Sequence, residues 1–528
     1  MKILVSDKLS DAGVEILKRG GFTVDVKTGL KPEELKEIIG GYDALVVRSA
    51  TKVSAEIIAA GKRLKVIGRA GAGVDNIDSA AASKQGVVVM NTPGGNTVTT
   101  GEHAIAMMMS LTRNIPQADS YMKNGKWEKK ALEGREVTGK TLGIIGMGRV
   151  GSVVASRAQG LKMNVIVCDP FITKELAESQ GIELVPLNDI YARSDYITVH
   201  TPKSKETLGL VGKAAFSKMK KGVFLINCAR GGIVDEKALV DAMNSGIVAG
   251  AAVDVFEKEP PEDWALPKHP KVIATPHLGA STHEAQENVA LAIAEQIVDY
   301  LKKGVIRNAV NAPSVSPDML PKVKPYIDLA EKMGRFMGQI IGQVVSDRLK
   351  KVSISYTGAA AAIDVKPVTV AALKGLLSSI TDDVNYVNAP VLLKERGIDL
   401  VETSTSKEEA FTNTIDMTLD FDKGTRSLTG SVFSPTDLRI VRIDKYSIEV
   451  IPEGYMLVIY NKDLPGTVGN FGTIIGESGI NIARLFLGRD RQEGTAIIII
   501  NVDTEVPKKV MDKLRKVPNA LSVQEVFI

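Results

Sequence analysis

Short apolar runs alternate with helical spacing through the first ninety residues. Residues 2–7, 22–26, 44–48, 64–69 and 87–91 are Val/Ile/Leu-rich runs of strand length. Between them, residues 13–19, 32–39 and 55–60 place apolar positions three and four apart. Strand runs apolar on both faces, alternating with helices, predict a parallel doubly wound sheet. A long helix is predicted over 99–111, after the turn Asn91-Thr-Pro-Gly-Gly-Asn96. The alternation then restarts, with strands predicted at 141–145, 164–168, 182–185, 196–200, 223–227, 249–254 and 272–275, and a long helix over 282–302. Two long helices flank the second unit, which reads as inserted into the first. The expected division is 1–98 with 283–310, and 99–282.

Residues 313–317, Pro-Ser-Val-Ser-Pro, read as a linker. Beyond them, 318–450 mixes helices (326–343, 368–377) with β-rich runs (351–356, 414–421), an α+β unit whose expected bounds are 314–450. From 453 to 528 the order is strand 455–460, helix 467–478, strand 481–488, strand 496–502, helix 507–516, strand 520–527. That is the ferredoxin-like βαββαβ order. The expected fold class is therefore α/β: two Rossmann-like doubly wound parallel-sheet domains, an α+β intervening domain and a ferredoxin-like βαββαβ domain.

Composition narrows the function. The 528 residues carry 66 Lys and Arg against 62 Asp and Glu, a net charge of +4, which argues against an electrostatic nucleic-acid binder. Two cysteines, Cys168 and Cys228, cannot build a disulfide framework or a cysteine metal site and point to a reducing, cytoplasmic setting. No metal site is expected. The opening MKILVSD is too short for a signal segment, and no apolar run reaches the ~20 residues that span a bilayer, so no membrane is expected. All five histidines precede residue 284, which assigns neutral-pH proton transfer to the first half.

The strand at 141–145 runs into Gly146-Met-Gly148-Arg-Val-Gly151 and a helix, and the next strand ends at Asp169. This is the dinucleotide fingerprint: Gly146 for the turn, Gly148 for backbone approach to the pyrophosphate, Gly151 for helix–strand packing, and free N–H groups at the helix start. A carboxylate at Asp169 accepts the ribose hydroxyls and repels a 2′-phosphate, so NAD is expected. Arg230, Glu259 and His277 follow three later strands of this unit. Ligands bind at the carboxyl ends of such strands. There His277 can take the proton of an alcohol as hydride leaves, Glu259 can stabilise the imidazolium, and Arg230 can grip a substrate carboxylate. From the other domain, Arg48 and Arg69 end neighbouring strands and would present forked donors to a phosphate.

The runs GRAGAGVDNID (68–78), VMNTPGGN (89–96), GKTLGIIGMGRVG (139–151), HTPKSKETLGL (200–210), NCARGGIVDE (227–236), AAVDVFEKEPP (251–261) and TPHLGAST (275–282) resemble the D-isomer-specific 2-hydroxyacid dehydrogenases, in their long form acting on D-3-phosphoglycerate. The resemblance implies Arg230, Glu259 and His277 as the catalytic set. It implies NAD contacts at Arg149, Val150, Asp169, Thr201, Cys228, Ala229, Arg230, Asp254, His277, Leu278, Gly279 and Ala280, besides the three fingerprint glycines. It implies substrate contacts at Arg48, Ser49, Arg69, Gly71, Ala72, Gly73, Arg230 and His277, with 3-phosphoglycerate and 3-phosphohydroxypyruvate as the reacting pair in serine biosynthesis, and a homodimer or homotetramer. The segment Tyr460-Asn-Lys-Asp-Leu-Pro-Gly466 with Gly479-Ile-Asn-Ile482 resembles an ACT domain, a small-molecule sensor whose implied effector is an amino acid, serine. Asn461, Asp463 and Asn481 are its candidate effector residues. In feedback-inhibited relatives a His and an Asn stand where Asn461 and Asp463 stand here, so serine itself is left open. Two alternatives remain: a glyoxylate or hydroxypyruvate reductase, which would not need Arg48 or Arg69, and an NAD(H)-sensing corepressor without turnover.

Overall fold

The computed structural model describes every residue except 316–317, 345–347, 382, 406–412 and 491–493, with backbone alone at 342–344. Of the expected linker, 313–315 have no regular structure and 316–317 lie outside the described residues.

Five parallel strands, Lys2–Val5, Thr23–Val26, Ala44–Val47, Val66–Arg69 and Val88–Met90, form the first sheet, in the spatial order second, first, third, fourth, fifth. Every residue of Ala44–Val47 and of Val88–Met90 is buried, because helices cover both faces. The helix Asp11–Arg19 starts where Ser10 accepts the Gly13 N–H, and the unpredicted helix Ser79–Gln85 starts on Asp78 and ends at a left-handed Gly86. The helix His283–Lys303 buries Val289, Ile293, Ala294 and Ile297 against Ile3, Val5, Val88 and Met90 of this sheet. Residues 308–312 then run along the edge strand, where Val310 N–H donates to Val89 and Asn311 takes the Val89 N–H, so that edge is not left open.

The second sheet has seven parallel strands: Thr141–Ile145, Asn164–Cys168, Glu183–Leu184, Tyr196–Val199, Val223–Asn227, Val248–Val253 and Val272–Ala274. Their spatial order reverses between Thr141–Ile145 and Tyr196–Val199. Such a switch point opens a crevice at the carboxyl ends of the strands. The helices Thr97–Thr112 and Arg149–Gly160 bury one face; Leu187–Arg193 and Glu236–Asn244 bury the other.

The third sheet is mixed. It has six strands in the spatial order Asp399–Thr405, Leu349–Gly358, Asn413–Phe421, Gly424–Ser434, Asp437–Ile443, Tyr446–Val450, and only its first pair is parallel. The helix Leu320–Val344 lies across it; it starts before the expected residue 326, with Pro321 in its first turn and Pro325 inside. The last sheet is antiparallel in the order Ile482–Asp490, Thr495–Val502, Tyr455–Lys462, Ala520–Phe527, the arrangement that the βαββαβ order predicts. The helices Thr467–Glu477 and Lys508–Leu514 cover one face. Met456, Val458, Ile497, Ile499 and Val526 on the other join the core of the third sheet. The fold class is the expected α/β one. The helix Ile115–Lys123 was not predicted: it buries no residue, so it leaves no periodic apolar signature.

Candidate active site

The turn after Thr141–Ile145 is dictated by its glycines. Gly146 has φ 96°, and a Cβ there would sit 2.8 Å from the His200 carbonyl oxygen. A Cβ on Gly151 would lie 2.1 Å from the Gly146 carbonyl oxygen, so the helix could not close onto the strand. Gly148 has nothing within 4 Å: its side is open space. The helix Arg149–Gly160 begins there without a side-chain cap, leaving its first N–H groups available to an anion. Beside the turn, Asp169 accepts the Met147 N–H at 2.7 Å and the Phe171 N–H at 2.8 Å. The Thr201 hydroxyl is buried there with no protein partner. An open glycine, an uncapped helix start, a carboxylate and an orphaned hydroxyl fit a dinucleotide. Cys228 is buried, and burial pushes its thiol well above the usual range, so it is an inert wall.

Three loops beyond later strands of the same sheet carry the proton-transfer candidates. Asn227 fixes the first: its carbonyl takes the Ala229 N–H at 3.1 Å and its amide donates to the Arg230 carbonyl at 3.2 Å. A Cβ on Gly231 would lie 1.8 Å from the Phe256 carbonyl oxygen, so this turn and the next loop touch directly. His277 Nδ1 is 2.7 Å from Glu259 Oε2, and Glu259 Oε1 accepts the Phe256 N–H at 3.1 Å. Burial alone would raise the Glu259 pKa; the hydrogen bond and charge of His277 outweigh it and hold the carboxyl below its usual range. With Nδ1 engaged, Nε2 is left for the cleft.

That cleft, of about 950 Å³, lies between the two parallel sheets. One wall carries Arg230, Glu259 and His277; the other carries Arg48, Ser49, Arg69 and the turn Gly71-Ala72-Gly73. Arg48 is tied down by its N–H to Asp7 (2.6 Å) and its Nη1 to the Lys8 carbonyl (3.1 Å). Arg69 Nε is buried without a partner. Burial lowers the pKa of both guanidiniums, a desolvation cost that a bound anion would offset. A Cβ on Gly73 would meet Arg230 Nη2 at 2.4 Å and Arg69 Nη1 at 2.9 Å, so the glycine makes room for two guanidiniums from opposite walls.

The structure thus gathers Arg48, Ser49, Arg69, 71–73, Arg230, Glu259, His277 and Ala280 around one cleft. Asp254, Leu278 and Gly279 support it from beneath: the Asp254 carboxylate accepts the Leu278 and Gly279 N–H groups at 2.7 and 2.9 Å. Sequence reasoning missed Asp75, whose carboxylate pairs with Arg230 Nε across the cleft at 3.3 Å, and Lys52 and Lys203, which also line it. Asp75 stands inside the glycine-rich run at 68–78, yet nothing there names a partner 155 residues away. His200, next to Thr201, is half-buried, its ring hydrogen-bonded to the Thr198 hydroxyl at 2.9 Å, and burial drops its pKa to about 4, so it is neutral. In the C-terminal sheet each candidate effector residue is engaged elsewhere: Asp463 with Arg489 at 2.7 Å, Asn481 with Asp503 at 2.8 Å, and buried Asn461 with the Lys462 carbonyl. Asn461 Oδ1 is left without a partner. Among the described residues no cluster of His, Cys, Asp and Glu could hold a metal ion, and no helix is long and apolar enough to cross a membrane.

Known families match along the chain in the same order. Residues 105–279 match the D-isomer specific 2-hydroxyacid dehydrogenase NAD binding domain, 322–444 the D-3-phosphoglycerate dehydrogenase intervening domain, and 455–519 the ACT domain. The chain is 44% identical to a D-3-phosphoglycerate dehydrogenase of Archaeoglobus fulgidus over the full length of both chains. It is 44% identical to one of Synechocystis sp., covering 98% of this chain and 93% of that protein. Among solved structures, the NAD+-bound 3-phosphoglycerate dehydrogenase of Entamoeba histolytica covers 60% of this chain and 99% of its own, at 34% identity and a TM-score of 0.51. The chain belongs to the D-3-phosphoglycerate dehydrogenase family, within the D-isomer-specific 2-hydroxyacid dehydrogenases.

Proposed function

We propose that this chain catalyses the NAD-dependent oxidation of D-3-phosphoglycerate to 3-phosphohydroxypyruvate, the entry to serine biosynthesis in the cytoplasm, and works as a homodimer or homotetramer. The observation that carries the reading is one cleft with the Glu259–His277 pair on one wall and the arginines Arg48 and Arg69, the latter with an unpartnered Nε, on the other.

The chain's residues divide the work. Gly146, Gly148, Gly151 and the start of the helix at Arg149 hold the pyrophosphate, and Asp169 the ribose. Thr201, Cys228, Ala229, Asp254 and 277–280 surround the nicotinamide end. NAD, when bound, supplies the hydride acceptor. Arg230 exchanges Asp75 for the substrate carboxylate and orients C2. Arg48 and Arg69, with the N–H groups of 71–73, hold the phosphate. His277 Nε2 takes the C2 hydroxyl proton as the C2 hydride departs, and Glu259, already bonded to Nδ1, stabilises the imidazolium. In the reverse direction His277 returns that proton to the carbonyl oxygen. The two parallel-sheet units divide as 1–98 with 283–310 and 99–282, followed by 314–450 and 453–528. The last of these takes an amino acid, serine, near Asn461, Asp463 and Asn481, once their present partners yield.

Arg48→Ala tests the phosphate assignment. Charged hydrogen bonds are each worth about 1.5–3 kcal/mol, so kcat/KM for 3-phosphohydroxypyruvate should fall roughly 100-fold while that for hydroxypyruvate changes little. Equal losses on both substrates would remove Arg48 as the phosphate contact.

A further inference from the structure

The helix Thr97–Thr112 carries the chain from the first parallel sheet to the second. Three side chains on one face of it reach the segment around His277. Thr99 Oγ1 is 3.2 Å from Thr282 Oγ1. The Thr100 hydroxyl donates to the Gly279 carbonyl at 2.9 Å. One turn on, His103 Nε2 is 3.2 Å from Asp254 Oδ1 and 3.4 Å from Thr275 Oγ1.

Asp254 is fully buried. Its Oδ1 accepts the Thr275 hydroxyl at 2.6 Å and the Leu278 N–H at 2.7 Å; its Oδ2 accepts the Gly279 N–H at 2.9 Å. Its main-chain oxygen accepts the His277 N–H at 2.9 Å. One aspartate therefore fixes the backbone on both sides of His277. That backbone needs fixing, because His277 has φ 54°, a left-handed conformation that a side chain with a Cβ adopts only when its surroundings impose it. A dry carboxylate in turn needs a donor on each of its lone pairs. Among the described residues, His103 is the side chain that brings a ring nitrogen to Asp254.

We propose that His103 is a positioning residue for this reaction: it anchors the Asp254 carboxylate, and through it the left-handed His277, to the helix that joins the two sheets. The inference rests on the reading of His277 as the acid/base. His103 touches neither cofactor nor substrate in this scheme. It acts by keeping the His277 ring where Glu259 can meet it.

Three variants test it, assayed as the full chain with NADH and 3-phosphohydroxypyruvate. Gln places an amide nitrogen close to the imidazole Nε2 position; Asn stops one bond short; Leu has no donor. His103→Gln should stay within about threefold of the parent kcat. His103→Asn and His103→Leu should lose about 10- to 100-fold in kcat, with the KM for the oxoacid within about threefold. A merely structural role would lower melting temperature in all three and would not sort kcat by donor reach. If Asn and Gln behave alike, or if Leu keeps full turnover, His103 is not a positioning residue. His277→Ala runs beside them: should it retain turnover, the underlying acid/base assignment fails, whereas a dead His277→Ala with a fully active His103→Asn defeats the His103 proposal alone.

Discussion

Asp254 shows how one buried side chain can hold a whole segment, the one that carries His277. Burial works to raise its pKa, but the hydrogen bonds from His103, the Thr275 hydroxyl and the Leu278 N–H outweigh that and leave it lowered. A carboxyl whose folded pKa lies below its unfolded value stabilises the fold above the unfolded value and loses that contribution as pH falls through the folded one. The melting-temperature difference between the parent and Asp254→Asn should therefore be flat from about pH 8 to about pH 5 and shrink below about pH 4, the range of a free aspartate. A difference that grows in acid would mean that Asp254 is not held ionised. That Arg230, Glu259 and His277 meet at one cleft was legible in the sequence, because each follows a strand of the fingerprint-bearing unit, and strand ends are where such sheets bind ligands. Asp75 and His103 were not. Their meaning lies in contacts with Arg230 and Asp254, more than a hundred residues away, and no local pattern carries that.

At the level of elements, the strands were readable because most are buried on both faces and so run apolar without interruption, as Ala44–Val47 and Val223–Asn227 do. The third sheet was the least readable. Asp399–Thr405 is an exposed edge strand, and Gly424–Ser434 mixes polar and apolar positions unevenly, so the period-two signal fails. The helix Ser79–Gln85 is short and Ala-rich; its start at Asp78 and stop at Gly86 carry more information than its body. The close approach of the 227–232 turn to the 254–259 loop makes a prediction of its own. Gly231→Ala forces the Phe256 carbonyl to move, which should cost about 1–3 kcal/mol and displace Arg230 and Glu259 together. Unfolding by urea with parallel kinetics would read both; an unchanged midpoint with normal turnover would mean that the loops have slack.

Across the whole molecule the four sheets do not stand as four separate cores. The two parallel sheets are joined by two long helices, one leaving and one returning, and the cleft lies between them. The third and fourth sheets share a single apolar core, reinforced where Gln339 exchanges hydrogen bonds with the Phe527 backbone and Gln524 donates to the Ile340 carbonyl. Removing residues 453–528 should therefore strip the third sheet of part of its core, with a lowered first unfolding transition and increased binding of a hydrophobic dye. A truncated chain with an unchanged first transition would show the two sheets to be independent. The central claim concerns what the cleft holds. It is tested most directly by following NADH consumption with 3-phosphohydroxypyruvate beside unphosphorylated hydroxypyruvate. With Arg48 and Arg69 holding the phosphate, kcat/KM should favour the phosphorylated acid by at least about 100-fold. Equal rates would contradict the phosphate site and make the chain a general 2-oxoacid reductase; no turnover with either would contradict the catalytic reading itself.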